Sequence, residues 1–86
     1  MTISVAILEL LYQKVRATPI VLASELRQMK LMSAKETTAA KLVRNALVVL
    51  LEIGLVAVEG RGLYSLTPLG KKFYETEIKK AKTKSN

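Results

Sequence analysis

The chain has 86 residues, about half of them apolar, which is enough for one domain with one modest core. Fourteen Lys and Arg against seven Glu give a net charge of +7, which favours an anionic partner over a cationic one. Cys, His and Asp are absent, and this excludes disulfides, zinc fingers and any Ser–His or Cys–His catalytic pair.

The pattern predicts a first helix over residues 3–16, with Thr2 as N-cap and Ile3, Ile7, Leu10, Leu11 and Val15 recurring at helical spacing on its inner side. Thr18-Pro19 ends it. Val5, Leu8 and Tyr12 form a second apolar stripe on the same helix, so it needs two surfaces to pack against. The second surface is either the C-terminal helix or another copy of the chain, and both stay open at this point. The run is interrupted by Glu9 and followed by no small-residue cleavage site, so it is neither a signal peptide nor a membrane span, and a cytoplasmic protein is expected.

Residues 20–30 read as a short second helix with Leu22, Leu26 and Met29 inward. The third helix is the longest, bounded by Ser33 and Gly54 as helix 34–53. Ser33 offers an N-cap and Glu36 completes a capping box, with Thr37 or Thr38 as competing caps. Gly54 closes it as a C′ residue. At 100° per residue Ala39, Leu42, Val43, Ala46, Val49, Leu50 and Ile53 fall on one side, as a buried stripe requires. The other side collects Thr37, Thr38, Lys41, Arg44 and Asn45, with no carboxylate among them, and carries Val48 and Leu51 farther along.

After Gly54 the period changes from 3.6 to 2. Residues 55–59 read as a strand, Gly60-Arg61-Gly62 as a tight turn and residues 63–66 as the return strand of a β-hairpin. Thr67-Pro68 restarts a helix, a hydroxyl N-cap followed by proline at the first helical position. In this fourth helix Leu69 and Phe73 are expected to face the core, with Tyr74, Ile78 and Ala81 as a separate stripe. The domain is therefore set at residues 1–78, followed by a basic tail, 79–86, with Lys79, Lys80, Lys82 and Lys84. Without the tail the net charge falls to +3, so placement of charge matters more than its sum.

These elements predict an α+β, mostly α, fold: three helices, a two-stranded hairpin and a C-terminal helix. The run LLEIGLVAVEGRGLYSLTPLGKKFYE resembles the winged helix-turn-helix family, in particular small MarR- and PadR-like and archaeal single-domain transcriptional regulators. The resemblance covers about residues 20–78: an apolar helix end, Gly-Leu-Val opening the wing, a glycine turn, an aromatic on the return strand, and Leu-Thr-x-x-Gly starting the last helix. It implies that Leu22 to Met29 form the support helix, and that Lys35, Thr37, Thr38, Lys41, Arg44 and Asn45 face double-stranded DNA. Arg61 would then lie at the wing tip, in the minor groove or on phosphate. The segment between Met29 and Thr37 is longer than the family's usual turn, and the wing is short.

Independently of the resemblance, Arg pairs bidentately with guanine and Asn with adenine, while Lys41 and Arg61 suit phosphate. The competing readings are an ion pair of Arg44 with Glu52 or Glu59, and an Arg61 that only keeps a hairpin tip soluble. The surplus of apolar residues predicts a two-fold homodimer through Val5, Leu8, Tyr12, Tyr74 and Ile78. The expected function is a homodimeric, DNA-binding transcriptional repressor. The alternatives are a winged-helix protein-interaction module and a nonspecific chromatin-type binder. No enzyme, cofactor, metal site or membrane partner is expected, and a small-molecule effector has little room.

Overall fold

Three of the helices begin on a threonine whose hydroxyl accepts a backbone N–H three residues on. Thr2 accepts from Val5 and Thr18 from Val21, both at 3.3 Å, and Thr67 accepts from Gly70 at 3.0 Å. Each such cap is worth about 1 kcal/mol. The structure is a computed structural model and describes residues 2–33 and 35–80. In chain order it has α1 (Ile3–Lys14), β1 (Arg16–Ala17), α2 (Pro19–Gln28), α3 (Glu36–Glu52), β2 (Val56–Glu59), β3 (Leu63–Leu66) and α4 (Pro68–Phe73). The last helix continues past Phe73 in π-helical form over Tyr74–Lys79. The fold is α+β and mostly helical, with an antiparallel three-stranded sheet in the order β1-β3-β2.

The sheet is one strand larger than expected. Arg16 and Ala17 pair with Ser65 and Tyr64, and β2 pairs with β3 from Val56↔Leu66 to Glu59↔Leu63. Two residues are too few to show an alternation, so β1 left no signal in the sequence. It also shortens the first helix, because the chain must turn out of α1 to reach β3. Val15, expected inward, makes that turn at φ 76 and is exposed.

The centre of the core is Ile7 and Leu11 of α1, Leu22 and Leu26 of α2, and Val43 and Leu47 of α3, all fully buried. Each contributes roughly 1.5–3 kcal/mol through the apolar surface it removes from water. Met29, expected beside Leu26, is exposed, and Met32 is buried in its place. The cause is the way α2 ends. Lys30 takes a left-handed φ of 60, its N–H donates to the Arg27 carbonyl and the Leu31 N–H donates to the Leu26 carbonyl. This Schellman closure reverses the chain after Met29 and brings Met32 back to the core.

Helix α3 starts at Glu36 with Lys35 as N-cap and no side-chain cap bond, so neither Ser33 nor Thr37 nor Thr38 caps it. Its end follows the expectation: Gly54, at φ 81, donates to Leu51, and Leu55 donates to Leu50. The buried stripe is rotated from the one the sequence suggested. Ala39, Ala40, Val43, Leu47 and Leu50 are buried, whereas Leu42, Val49 and Ile53 are exposed. The apolar arc of α3 is wider than the surface that α1 and α2 cover, and its centre does not show which edge is left over.

The last helix is also turned relative to expectation, and Gly70 is the reason. A Cβ on Gly70 would fall 1.9 Å from the Leu55 carbonyl oxygen, so only glycine lets the helix lie this close to the start of β2. Thr67 reinforces the approach: its hydroxyl donates to the Gly54 carbonyl at 2.6 Å and its N–H to the Leu55 carbonyl at 3.1 Å. With Gly70 inward, Tyr74 and Ile78 follow at i+4 and i+8 and are buried, and Leu69 and Phe73 point outward.

Tyr74 and Ile78 complete the second side of α1. The Tyr12 and Tyr74 rings stack with centroids 4.4 Å apart, the Tyr12 phenol donates to Glu75 at 2.6 Å, and the Tyr74 hydroxyl donates to the buried Glu9 at 3.4 Å. The Lys79 ammonium lies 5.8 Å from the Tyr12 ring centroid. Leu8, Tyr74 and Ile78 are thus buried within one chain, and Val5 and Tyr12 pack partly buried against the same core. The five residues expected at a dimer interface are used by the chain itself, and the C-terminal helix is what covers α1. Ala81, Lys82 and Lys84 lie outside the described residues. No described helix is long and apolar enough to cross a membrane.

Candidate nucleic-acid interface

The packing of α3 on α1 and α2 decides which of its side chains meet solvent. Burying the arc centred on Val43 and Leu47 leaves Lys35, Thr37, Thr38, Lys41, Arg44 and Asn45 exposed, all from the N-terminal half of α3 or its cap. At 100° per residue Thr37, Thr38, Lys41, Arg44 and Asn45 share an arc of about 120° opposite the core. Glu52 falls on the same arc two turns beyond Asn45, so the cationic and amide character ends before the helix does.

Arg44 makes no ion pair with another described residue. Glu59, one of the two acids available to it by sequence, is held by Arg16 at 3.8 Å. The other described ion pair, Lys14 with Glu25 at 3.1 Å, is also remote from this face in sequence. Among the described residues, no buried side-chain nitrogen or oxygen lacks a hydrogen-bond partner, and no group of three metal-ligating side chains occurs.

Arg44 instead lines an open cleft of about 180 Å³ with Thr37, Ala40 and Ile20. Ile20 belongs to the first turn of α2, where Pro19 has no N–H and the Val21 N–H is held by the Thr18 hydroxyl, so what this end offers an anion is chiefly the positive end of the helix dipole. A guanidinium and a helix start on two sides of one cleft make a surface suited to an anion with an apolar edge. Ile20 and Val21, to which the sequence pattern assigns no role, are both exposed. Val48, one turn beyond Arg44, is exposed too, as its position on the polar side suggested.

Arg61 stands apart from α3, on the turn between β2 and β3. It is exposed and adopts φ 69, ψ 25, followed by Gly62 at φ 72. Left-handed backbone costs an ordinary residue about 1 kcal/mol relative to glycine, so the arginine is not there for the turn's sake. Comparison with protein-family models, with curated proteins and with solved structures found no match to this chain.

Proposed function

We propose that this chain is a winged helix-turn-helix DNA-binding protein. It reads the major groove with the N-terminal half of α3, touches phosphate or the minor groove with Arg61, and acts in the cytoplasm as a transcriptional repressor by occupying a promoter. The observation that carries this reading is the exposed arc of Thr37, Thr38, Lys41, Arg44 and Asn45, whose two cations make no ion pair with another described residue. Its residue types match base edges and phosphates in the way such a helix needs. The order of α2, α3 and a hairpin with an arginine at its tip supports it further.

In this reading α2 is the support helix. Ile20 of its first turn packs against the sugar–phosphate edge, and the Arg44 guanidinium across the cleft is left for a base edge. Lys35, Lys41 and Arg61 add the phosphate contacts that fix register without reading sequence.

The test is fluorescence anisotropy with labelled duplexes, one random and one selected from a random pool, over a range of salt. Three or so phosphate contacts predict a slope of about −3 in log affinity against log salt, with the selected duplex bound more tightly throughout. No affinity at low salt would sink the proposal. Equal affinity for both duplexes would leave only the nonspecific chromatin-type reading. The exposed Leu42, Val49 and Ile53 favour protein contact as a second reading. A winged-helix interaction module with no DNA affinity would show in the same experiment.

A further inference from the structure

Thr37, Ala40 and Arg44 stand at i, i+3 and i+7 on α3 and so form one line along the helix, and Ile20 of α2 closes the cleft beside them. Ala40 is buried at the floor of the cleft, and Thr37, Arg44 and Ile20 are exposed at its mouth. Its walls are the Ala40 methyl, the Ile20 side chain and the Thr37 γ-methyl with its hydroxyl, and the one charge on them is the Arg44 guanidinium. On a double helix, an electronegative edge adjoins a hydrocarbon group in two places. One is the rim, where phosphate meets sugar; the other is the major-groove floor, where O6 and N7 of guanine lie next to the C5 methyl of a neighbouring pyrimidine.

Donor supply separates the two. A phosphate is held by several N–H groups at once, but the first turn of α2 has none on Pro19, gives that of Val21 to the Thr18 hydroxyl and that of Leu22 to the Thr18 carbonyl. What remains at the cleft is a fork that matches guanine and a hydrocarbon wall that matches a methyl group. Resting on the DNA reading, we infer that the cleft is a subsite for a pyrimidine C5 methyl group, thymine in unmodified DNA, next to the guanine that Arg44 reads. The methyl enters between Thr37 and Ala40, and Ile20 shuts it off from water on the rim side. Burying one methyl raises affinity about three- to fivefold over the same duplex without it. Thr37, Ala40 and Ile20 thereby add to specificity through their hydrocarbon surface alone.

The experiment uses the full chain and the duplex selected from a random pool, at one salt concentration, with each thymine replaced in turn by deoxyuridine, which lacks only the methyl group. A thymine beside a guanine should lose about three- to fivefold in affinity on replacement. At that place 5-methylcytosine should exceed cytosine by a similar factor, and the tighter of the two methylated bases identifies the source of the group. The ratio of thymine to uracil affinity should fall towards one in Thr37→Ser, which keeps the hydroxyl, and in Ile20→Ala, whatever the overall affinity of either variant. Both positions are exposed, and circular dichroism checks that both variants fold. Uracil equal to thymine at every position overturns the inference and leaves the DNA reading standing. So does a selected site without a thymine beside a guanine, or a ratio that both variants keep. No affinity for any duplex removes the DNA reading and the inference with it.

Discussion

Replacing Gly70 by alanine sets two effects of opposite sign against each other, and the structure decides between them. Alanine is the better helix former, by about 1 kcal/mol in a helix interior. Its Cβ, however, would lie 1.9 Å from the Leu55 carbonyl oxygen and 2.9 Å from the carbonyl carbon. Both are backbone atoms that cannot swing aside, so the last helix must retreat by on the order of 1 Å. That retreat stretches the 2.6 Å bond from Thr67 to the Gly54 carbonyl and lifts Tyr74 and Ile78 off α1. Overpacking costs about 1–3 kcal/mol and a weakened hydrogen bond about 1 more, so the net loss is about 1–3 kcal/mol after the propensity gain. In a chain of this size that lowers the melting temperature by roughly 5–20 °C. Thermal and urea denaturation followed by circular dichroism measure it, with Gly60→Ala as control because nothing lies within 4 Å of a Cβ there. Gly70→Ala at or above wild-type stability would refute the close approach of the last helix to β2.

Two further predictions concern single side chains. The Tyr12 hydroxyl has its pKa raised above the usual 10.0, chiefly by its hydrogen bond to Glu75, with burial and nearby negative charge adding to it. Its stabilising effect is therefore complete below that value and is lost as pH rises through the higher folded pKa. Tyr12→Phe should be less stable than wild type at neutral pH, and the gap should narrow above pH 10.0, as a denaturation series against pH will show. Arg61→Gly relieves a left-handed backbone, so stability should stay within about 1 kcal/mol of wild type. DNA affinity should fall alike for all sequences, with a salt slope shallower by about 1 in anisotropy titrations.

Local chemistry made much of the fold legible. Thr2, Gly54 and Thr67-Pro68 each carry a capping signal that acts within a few residues, and each does what its chemistry predicts. Thr18 caps as well, although Thr18-Pro19 reads first as the end of α1. What stayed hidden depends on contacts distant in sequence. Which edge of the α3 stripe is buried follows from where α1 and α2 sit, and the inward face of the last helix follows from Gly70 meeting Leu55. Apolar periodicity marks an arc but not which part of it finds a neighbour. The start of α3 was obscure because Lys35 caps it without a side-chain bond, while three hydroxyl residues nearby offered one. For the candidate site, exposure of Lys35, Thr37, Thr38, Lys41, Arg44, Asn45 and Arg61 was legible from helical phase and turn chemistry. Ile20 was not, because only the fold brings the start of α2 beside Arg44.

If the exposed arc of α3 reads sequence, Arg44 is the side chain whose loss shows it. Affinities of wild type and Arg44→Ala for a selected and a random duplex, measured at one salt concentration, give the specificity ratio of each protein. Arg44→Ala should lose about 1–3 kcal/mol on the selected duplex, roughly 5- to 150-fold, with a much smaller loss on the random one. Equal losses on both would make Arg44 a phosphate contact. An Arg44→Ala chain that binds its selected site as wild type does would contradict the claim outright.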